Sequence, residues 1–173
     1  DLITLFVFWE LTAISSAILI WARRTDRAYK SGMRYLMTHI LSGMLLLIGA
    51  IFYSKSQGSI EFTSMSLDQP GVILIFIAFG VKSAFPLLHN WLHDAYPEST
   101  EIGTVALSVF STKLGIYALA RGFAGTEILI FIGAVMATFP IFYAVIENDL
   151  RRVLTYSLNN QLGFMVVGIG IGT

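Results

Sequence analysis

Apolar runs long enough to cross a bilayer follow one another along this chain, separated only by short polar or charged stretches. About twenty apolar residues in helical form span the ~30 Å hydrocarbon layer. Inside that layer only helices and closed barrels satisfy their own backbone groups. Runs of this length are helical, so the expected fold is all-α, a polytopic transmembrane helix bundle. Composition agrees: 55% of the 173 residues are hydrophobic and 13% charged, against about a quarter charged in a soluble domain. The formal net charge of zero offers no basic surface for nucleic acid, and the absence of cysteine excludes thiolate-held clusters and a disulfide framework.

The spacing predicts six spans. The first runs from Asp1 to Ala22 and holds one internal charge, Glu10. Arg23, Arg24, Arg27, Lys30 and Arg34 follow at once, and the positive-inside rule places this basic loop, 23–34, in the cytoplasm. The second span, Tyr35 to Tyr53, contains His39 and Ser42-Gly43, and leads into a polar external loop that ends near Pro70. The third starts near Gly71, carries Lys82, breaks near Pro86 and resumes from Leu87 to His93. Span four, Ile102 to Ala120, contains Lys113; span five, Glu127 to Ile146, contains Pro140 as a candidate kink; span six starts near Val153. The loop around Glu98 is acidic, which bears little on orientation because Asp and Glu contribute little to it. Small residues at Ala13/Ala17 and Gly133/Ala137 suit close helix packing. Residues 1–173 read as a single membrane domain and as a piece of a longer polytopic protein.

The break in span three concentrates the chemistry. A charge at the bilayer centre costs roughly 2.5–3.5 kcal/mol on insertion scales, and such residues face a bundle interior or a wet cavity. Pro86 has no N–H to donate and its ring clashes with the carbonyl four residues back, which belongs to Lys82. Helical bonding therefore fails beside the ammonium. Glu10, Lys82 and Lys113 each lie near the centre of a span, and together they suggest a polar axis across the bundle that relays protons. A static Glu10–Lys82 pair that only fixes packing is the alternative.

Around that axis, His89 and His93 stand at i and i+4 and fit interfacial packing or proton exchange with water better than a metal site. His39 and Asn160 are accessory candidates, the latter within Asn159-Asn160-Gln161, whose amides can hold water or pair across helices. Trp9, Trp21 and Trp91 are expected to pack and to anchor at headgroups. Gly168 to Gly172 looks like a nucleotide loop but lacks the strand and helix that such a loop needs.

Five motifs occur in order: Phe8-Trp9-Glu10-Leu11, Lys82-Ser83-Ala84-Phe85-Pro86-Leu87, Trp91-Leu92-His93-Asp94-Ala95, Thr112 to Arg121, and Asp149 to Ser157. Together they resemble the proton-conducting membrane subunits shared by respiratory complex I and the multisubunit Mrp-type cation/proton antiporters. The resemblance implies a fold of about fourteen helices built from two inverted five-helix repeats, each with a broken helix, of which this chain covers most of the first and the beginning of the second. It implies relay roles for Glu10, Lys82 and Lys113. The family commonly has proline where His93 stands, and Ala95 to Glu101 departs from the complex I pattern, which favours a D-type component of a multisubunit Na⁺/H⁺ antiporter. A proton-pumping subunit of complex I or of a membrane-bound hydrogenase is the second reading, which would make the chain part of an enzyme, and a structural scaffold is the third. The chain carries no cofactor motif, so redox chemistry would belong to partner subunits. The expected partners are other membrane subunits, H⁺, Na⁺ and the lipid bilayer, and the expected location is a bacterial inner membrane.

Overall fold

The computed structural model describes residues 1–172, and these form an all-helical bundle. Helix α1 (Leu2–Trp21) is capped by Asp1, whose side chain accepts from Thr4 N at 2.6 Å. The chain reverses through Arg24, at a φ of 56°, and Thr25 caps α2 (Asp26–Gln57) by accepting from Ala28 N at 3.1 Å. The basic residues after Arg24 thus belong to the first turns of α2 rather than to a loop, because Thr25 followed by Asp26 is a strong helix start. At about 1.5 Å per residue, the 32 residues of α2 reach ~48 Å, longer than the hydrocarbon layer, so its charged ends project beyond the membrane.

Helix α3 (Val72–Lys82) packs against α2 backbone to backbone. A Cβ on Gly49 would lie 2.7 Å from the Gly71 carbonyl, and Gly71 itself has a φ of 83° that glycine tolerates. The segment before α3 covers one end of the bundle: Leu2 N donates to Ile60 O at 2.9 Å and Met65 N to Gly122 O at 2.8 Å.

Helix α3 ends at Lys82, four residues before Pro86, where the missing donor and the ring clash fall. Ala84 (φ 59°) and Leu87 (φ 70°) turn the chain through left-handed positions, which non-glycine residues adopt at a cost. The expected resumption from Leu87 to His93 takes the form of a short helix, α4 (Asn90–Ala95). Trp91 at its start donates from Nε1 to Val81 O at 2.9 Å, which satisfies a carbonyl beside the break.

The fourth expected span is one helical stretch of three parts: α5 (Glu101–Ala106), a π-helical turn (Leu107–Ser111) and α6 (Thr112–Gly122). Widening the turn shifts the backbone pairing. Tyr96 Oη donates to the Leu107 carbonyl at 2.9 Å, and the Tyr35 hydroxyl pairs with Ser111 Oγ at 2.7 Å.

Helices α7 (Ile128–Ile146) and α8 (Leu150–Ile171) form an antiparallel hairpin. A Cβ on Gly163 would meet Ala137 N at 2.5 Å and Gly133 O at 2.8 Å, so small residues set the closeness of this pair. Pro140 sits inside α7, and Asn160 of α8 donates from Nδ2 to the Ala137 carbonyl close to the interruption.

Among the described residues, α1, α2, the stretch Glu101–Gly122 and α7 are long and apolar enough to cross a membrane. The interrupted α3 is a shorter apolar helix, and α8 is long enough at 22 residues but polar in its first half. The acidic loop after α4 faces the basic helix ends: Arg34–Asp94 at 3.2 Å, Arg23–Glu98 at 3.6 Å and Arg151–Glu101 at 3.2 Å. Arg23 and Arg151 also both donate to the Pro97 carbonyl, at 2.7 and 3.4 Å.

Candidate functional site

The buried end of α3 carries the site. Lys82 is fully buried, and its Nζ donates to the Trp9 carbonyl at 3.0 Å while lying 4.5 Å from the centroid of the Trp9 ring. An ammonium has three donors, so this contact uses one and the aromatic face stabilises the charge further. The indole is itself fixed: Trp9 Nε1 donates to Ser42 Oγ at 3.0 Å, and Ser42 Oγ donates to Ala78 O at 2.8 Å. One lysine thereby depends on α1, α2 and α3 at once.

Trp9 and Trp91 pack inside the bundle, as expected, but do not serve as headgroup anchors. They are 0% and 4% exposed, and each spends its N–H inside the bundle.

Glu10 follows Trp9 and lies within electrostatic range of Lys82, yet among the described residues Lys82 has no carboxylate in ion-pair contact. A static Glu10–Lys82 salt bridge is therefore absent from this conformation. Glu10 Oε1 is enclosed without a hydrogen-bond partner, pressed against Gly43, where an added Cβ would collide with it.

His39 is fully buried, and neither ring nitrogen has a partner among the described residues. Its ring packs on Tyr35 (centroids 4.1 Å apart) and edge-on to Trp91 (4.5 Å), within electrostatic range of Lys82. Ser83 Oγ is buried and unpartnered as well, facing Gly115, where a Cβ would lie 3.0 Å from Ser83 N. That close approach brings the broken helix against α6 two residues from Lys113. Lys113 itself is half-buried just after the π turn, with no hydrogen bond or ion pair among the described residues. The structure thus gathers Glu10, Lys82 and His39 in one cluster and keeps Lys113 on the neighbouring helix.

The remaining candidates form a second cluster. His89 and His93 have ring centroids 5.3 Å apart, as their i, i+4 spacing predicts, although His89 is the cap of α4 rather than inside it. His93 stacks on Tyr156 at 4.2 Å. A cavity of about 580 Å³ is lined by both histidines, Asp94, Tyr143 and Tyr156. It adjoins a small cavity that shares His89 and reaches Pro86 and Asn159. On its other side a pocket of about 340 Å³ shares His93 and Asp94. Asn159, 2% exposed with an unpartnered Oδ1, extends this row of polar atoms toward the break.

The transmembrane family model described as NADH:quinone oxidoreductase/Mrp antiporter matches residues 1–173. The chain belongs to this family. It is 30% identical over 193 residues to the D subunit of the Na⁺/H⁺ antiporter of Alkalihalophilus pseudofirmus, covering all of this chain and 39% of that protein. It is 30% identical over 178 residues to NADH-ubiquinone oxidoreductase chain 5 of Chlamydomonas reinhardtii, covering 99% of this chain and 32% of that one. Among solved structures, a chain of the Mrp complex from Dietzia sp. superposes with a TM-score of 0.88 at 24% identity, over 98% of this chain and 35% of that chain. The chain therefore spans about two fifths or less of these relatives, and it shares their fold. As a member of the NADH:quinone oxidoreductase/Mrp antiporter family it is an integral membrane protein, and its relatives are subunits of multisubunit complexes.

Proposed function

We propose that this chain forms one proton-conducting half of a D-type component of a Na⁺/H⁺ antiporter, acting as a single membrane domain within a larger hetero-oligomeric complex. The observation that carries the reading is the fully buried Lys82 at the broken end of α3, held by the Trp9 carbonyl with Glu10 next in the chain.

Protons reach Lys82 by way of His93 and His89, through the two cavities that share His89 and end beside Pro86 and Asn159. The ammonium that forms is held against the Trp9 carbonyl and ring. Approach of the Glu10 carboxylate favours the charged lysine, and its withdrawal favours release. The proton then passes beside Ser83, across the Gly115 contact, to Lys113. Buried polar atoms such as Glu10 Oε1, the His39 nitrogens and Ser83 Oγ are the kind that ordered water satisfies, and they mark the path for such a chain. The basic residues 23–34 face the cytoplasm of a bacterial inner membrane in this reading.

The experiment uses the full complex in sealed vesicles. An imposed ΔpH should collapse on addition of Na⁺, and Lys82→Ala should abolish that response while leaving the protein in the membrane. A Lys82→Ala complex with full proton flux sinks the proposal. The 30% identity to an NADH-ubiquinone oxidoreductase chain supports a second reading, proton pumping in a redox complex. Vesicle acidification driven by NADH, with no response to Na⁺, would select it.

A further inference from the structure

We infer that the pocket between the first turns of α2 and the start of α8 binds the phosphate of an anionic phospholipid from the surrounding bilayer. Its volume is about 340 Å³, and Arg27, Lys30, Arg34 and Arg152 line it together with the carboxylates Asp94 and Glu98. Those carboxylates are already committed, Asp94 to Arg34 at 3.2 Å and Glu98 to Arg23 at 3.6 Å. Arg152 lies 3.8 Å from Glu147. Arg27 and Lys30 have no hydrogen bond or ion pair among the described residues. Two free cations therefore share one polar cavity, large enough for roughly ten water volumes and so for a phosphate with its glycerol. Guanidinium and ammonium are the groups that hold phosphate oxygens, the first by paired parallel hydrogen bonds.

The same helix supplies the rest of a lipid site. Below its basic turns, α2 presents Met37, Leu41 and Met44 at helical spacing, 67%, 56% and 57% exposed. One leaflet is about 15 Å of hydrocarbon, or about ten residues of helix. That distance takes the surface from Arg34 to Met44. A headgroup in the pocket thus leaves its acyl chain lying on an apolar strip of matching length. A soluble anion gains nothing from that strip, and basic pockets beside membrane helices at the anionic leaflet are where headgroups bind.

The test is headgroup selectivity of the full-length protein in its complex, read as the association of spin-labelled phosphatidylglycerol relative to phosphatidylcholine in mixed vesicles. The wild type should prefer phosphatidylglycerol, and Arg27→Gln/Lys30→Gln should lower that preference by roughly tenfold or more, since each basic residue near an anionic surface contributes about fivefold. Arg27→Lys/Lys30→Arg should keep it, as should Arg24→Gln, which removes an exposed arginine outside the pocket. Unchanged selectivity in the double glutamine variant overturns the inference, and so does an equal loss in Arg24→Gln. Displacement of the lipid by millimolar inorganic phosphate overturns it too, because it would make the pocket a free-anion site.

Discussion

The Lys82 ammonium and Trp9 meet twice, through the backbone carbonyl at 3.0 Å and through the indole face at 4.5 Å. Among the described residues no carboxylate completes the arrangement, so the charge depends on a dipole and an aromatic quadrupole rather than on Glu10.

Trp9→Leu keeps the carbonyl but removes the ring and the Nε1 bond to Ser42. Losing a desolvated cation–π contact costs about 2 kcal/mol, so proton uptake by Lys82 should weaken by more than tenfold. Trp9→Phe should lose less, because a face remains over the ammonium. Flux through the two variants at matched membrane content measures the difference.

Gly43→Ala places a methyl where Glu10 Oε1 lies. The carboxylate must rotate away, and ion-driven proton flux should fall while thermal stability changes by less than about 3 kcal/mol, the usual range for overpacking. Gly43→Ala with wild-type flux would mean that the position of Glu10 does not matter.

Tyr96→Phe leaves the Leu107 carbonyl, inside the π turn, without its hydroxyl donor. Losing a hydrogen bond of this kind costs about 0.5–1.5 kcal/mol. A lower melting temperature is expected, with a change in Lys113-dependent flux, since the π turn immediately precedes α6.

Asn160→Leu removes the donor to the Ala137 carbonyl near Pro140. Interhelical hydrogen bonds in membranes contribute about 0.6–1.7 kcal/mol, and a loss of that size is expected in unfolding from detergent. In a Pro140→Ala background the loss should persist, because the carbonyl that Pro140 leaves without its helical donor is that of Met136, four residues back, and not that of Ala137.

Gly163→Ala brings a methyl against the backbone of α7 at Ala137 and Gly133. Backbone cannot rotate aside as a side chain does, so the hairpin must open. A destabilisation of about 1–3 kcal/mol should appear as a lower melting temperature, without altered headgroup selectivity.

Much of this molecule is legible from residue order. The apolar runs force helices, Pro86 marks a break that falls at Lys82, and His89 and His93 come together because i and i+4 share a helix face. The start of α2 is harder to place because its arginines look like a loop, while Thr25-Asp26 has already begun the helix. The burial of Trp9 and Trp91 is not legible, because tryptophan favours interfaces on average and nothing local tells which indoles find buried acceptors. The π turn leaves no sequence mark, and the hydroxyls that meet it at Ser111 and Leu107 come from Tyr35 and Tyr96 on other segments.

By itself, the sequence determined that the chain crosses a membrane, where one crossing fails, and which ionisable residues fall inside apolar runs. These follow from the cost of leaving backbone or charge unsatisfied in hydrocarbon, and that cost is local to each span. Only the tertiary structure decided what answers that cost at Lys82. The Trp9 carbonyl lies 73 residues away in the chain, and contacts between distant residues are set by how helices pack.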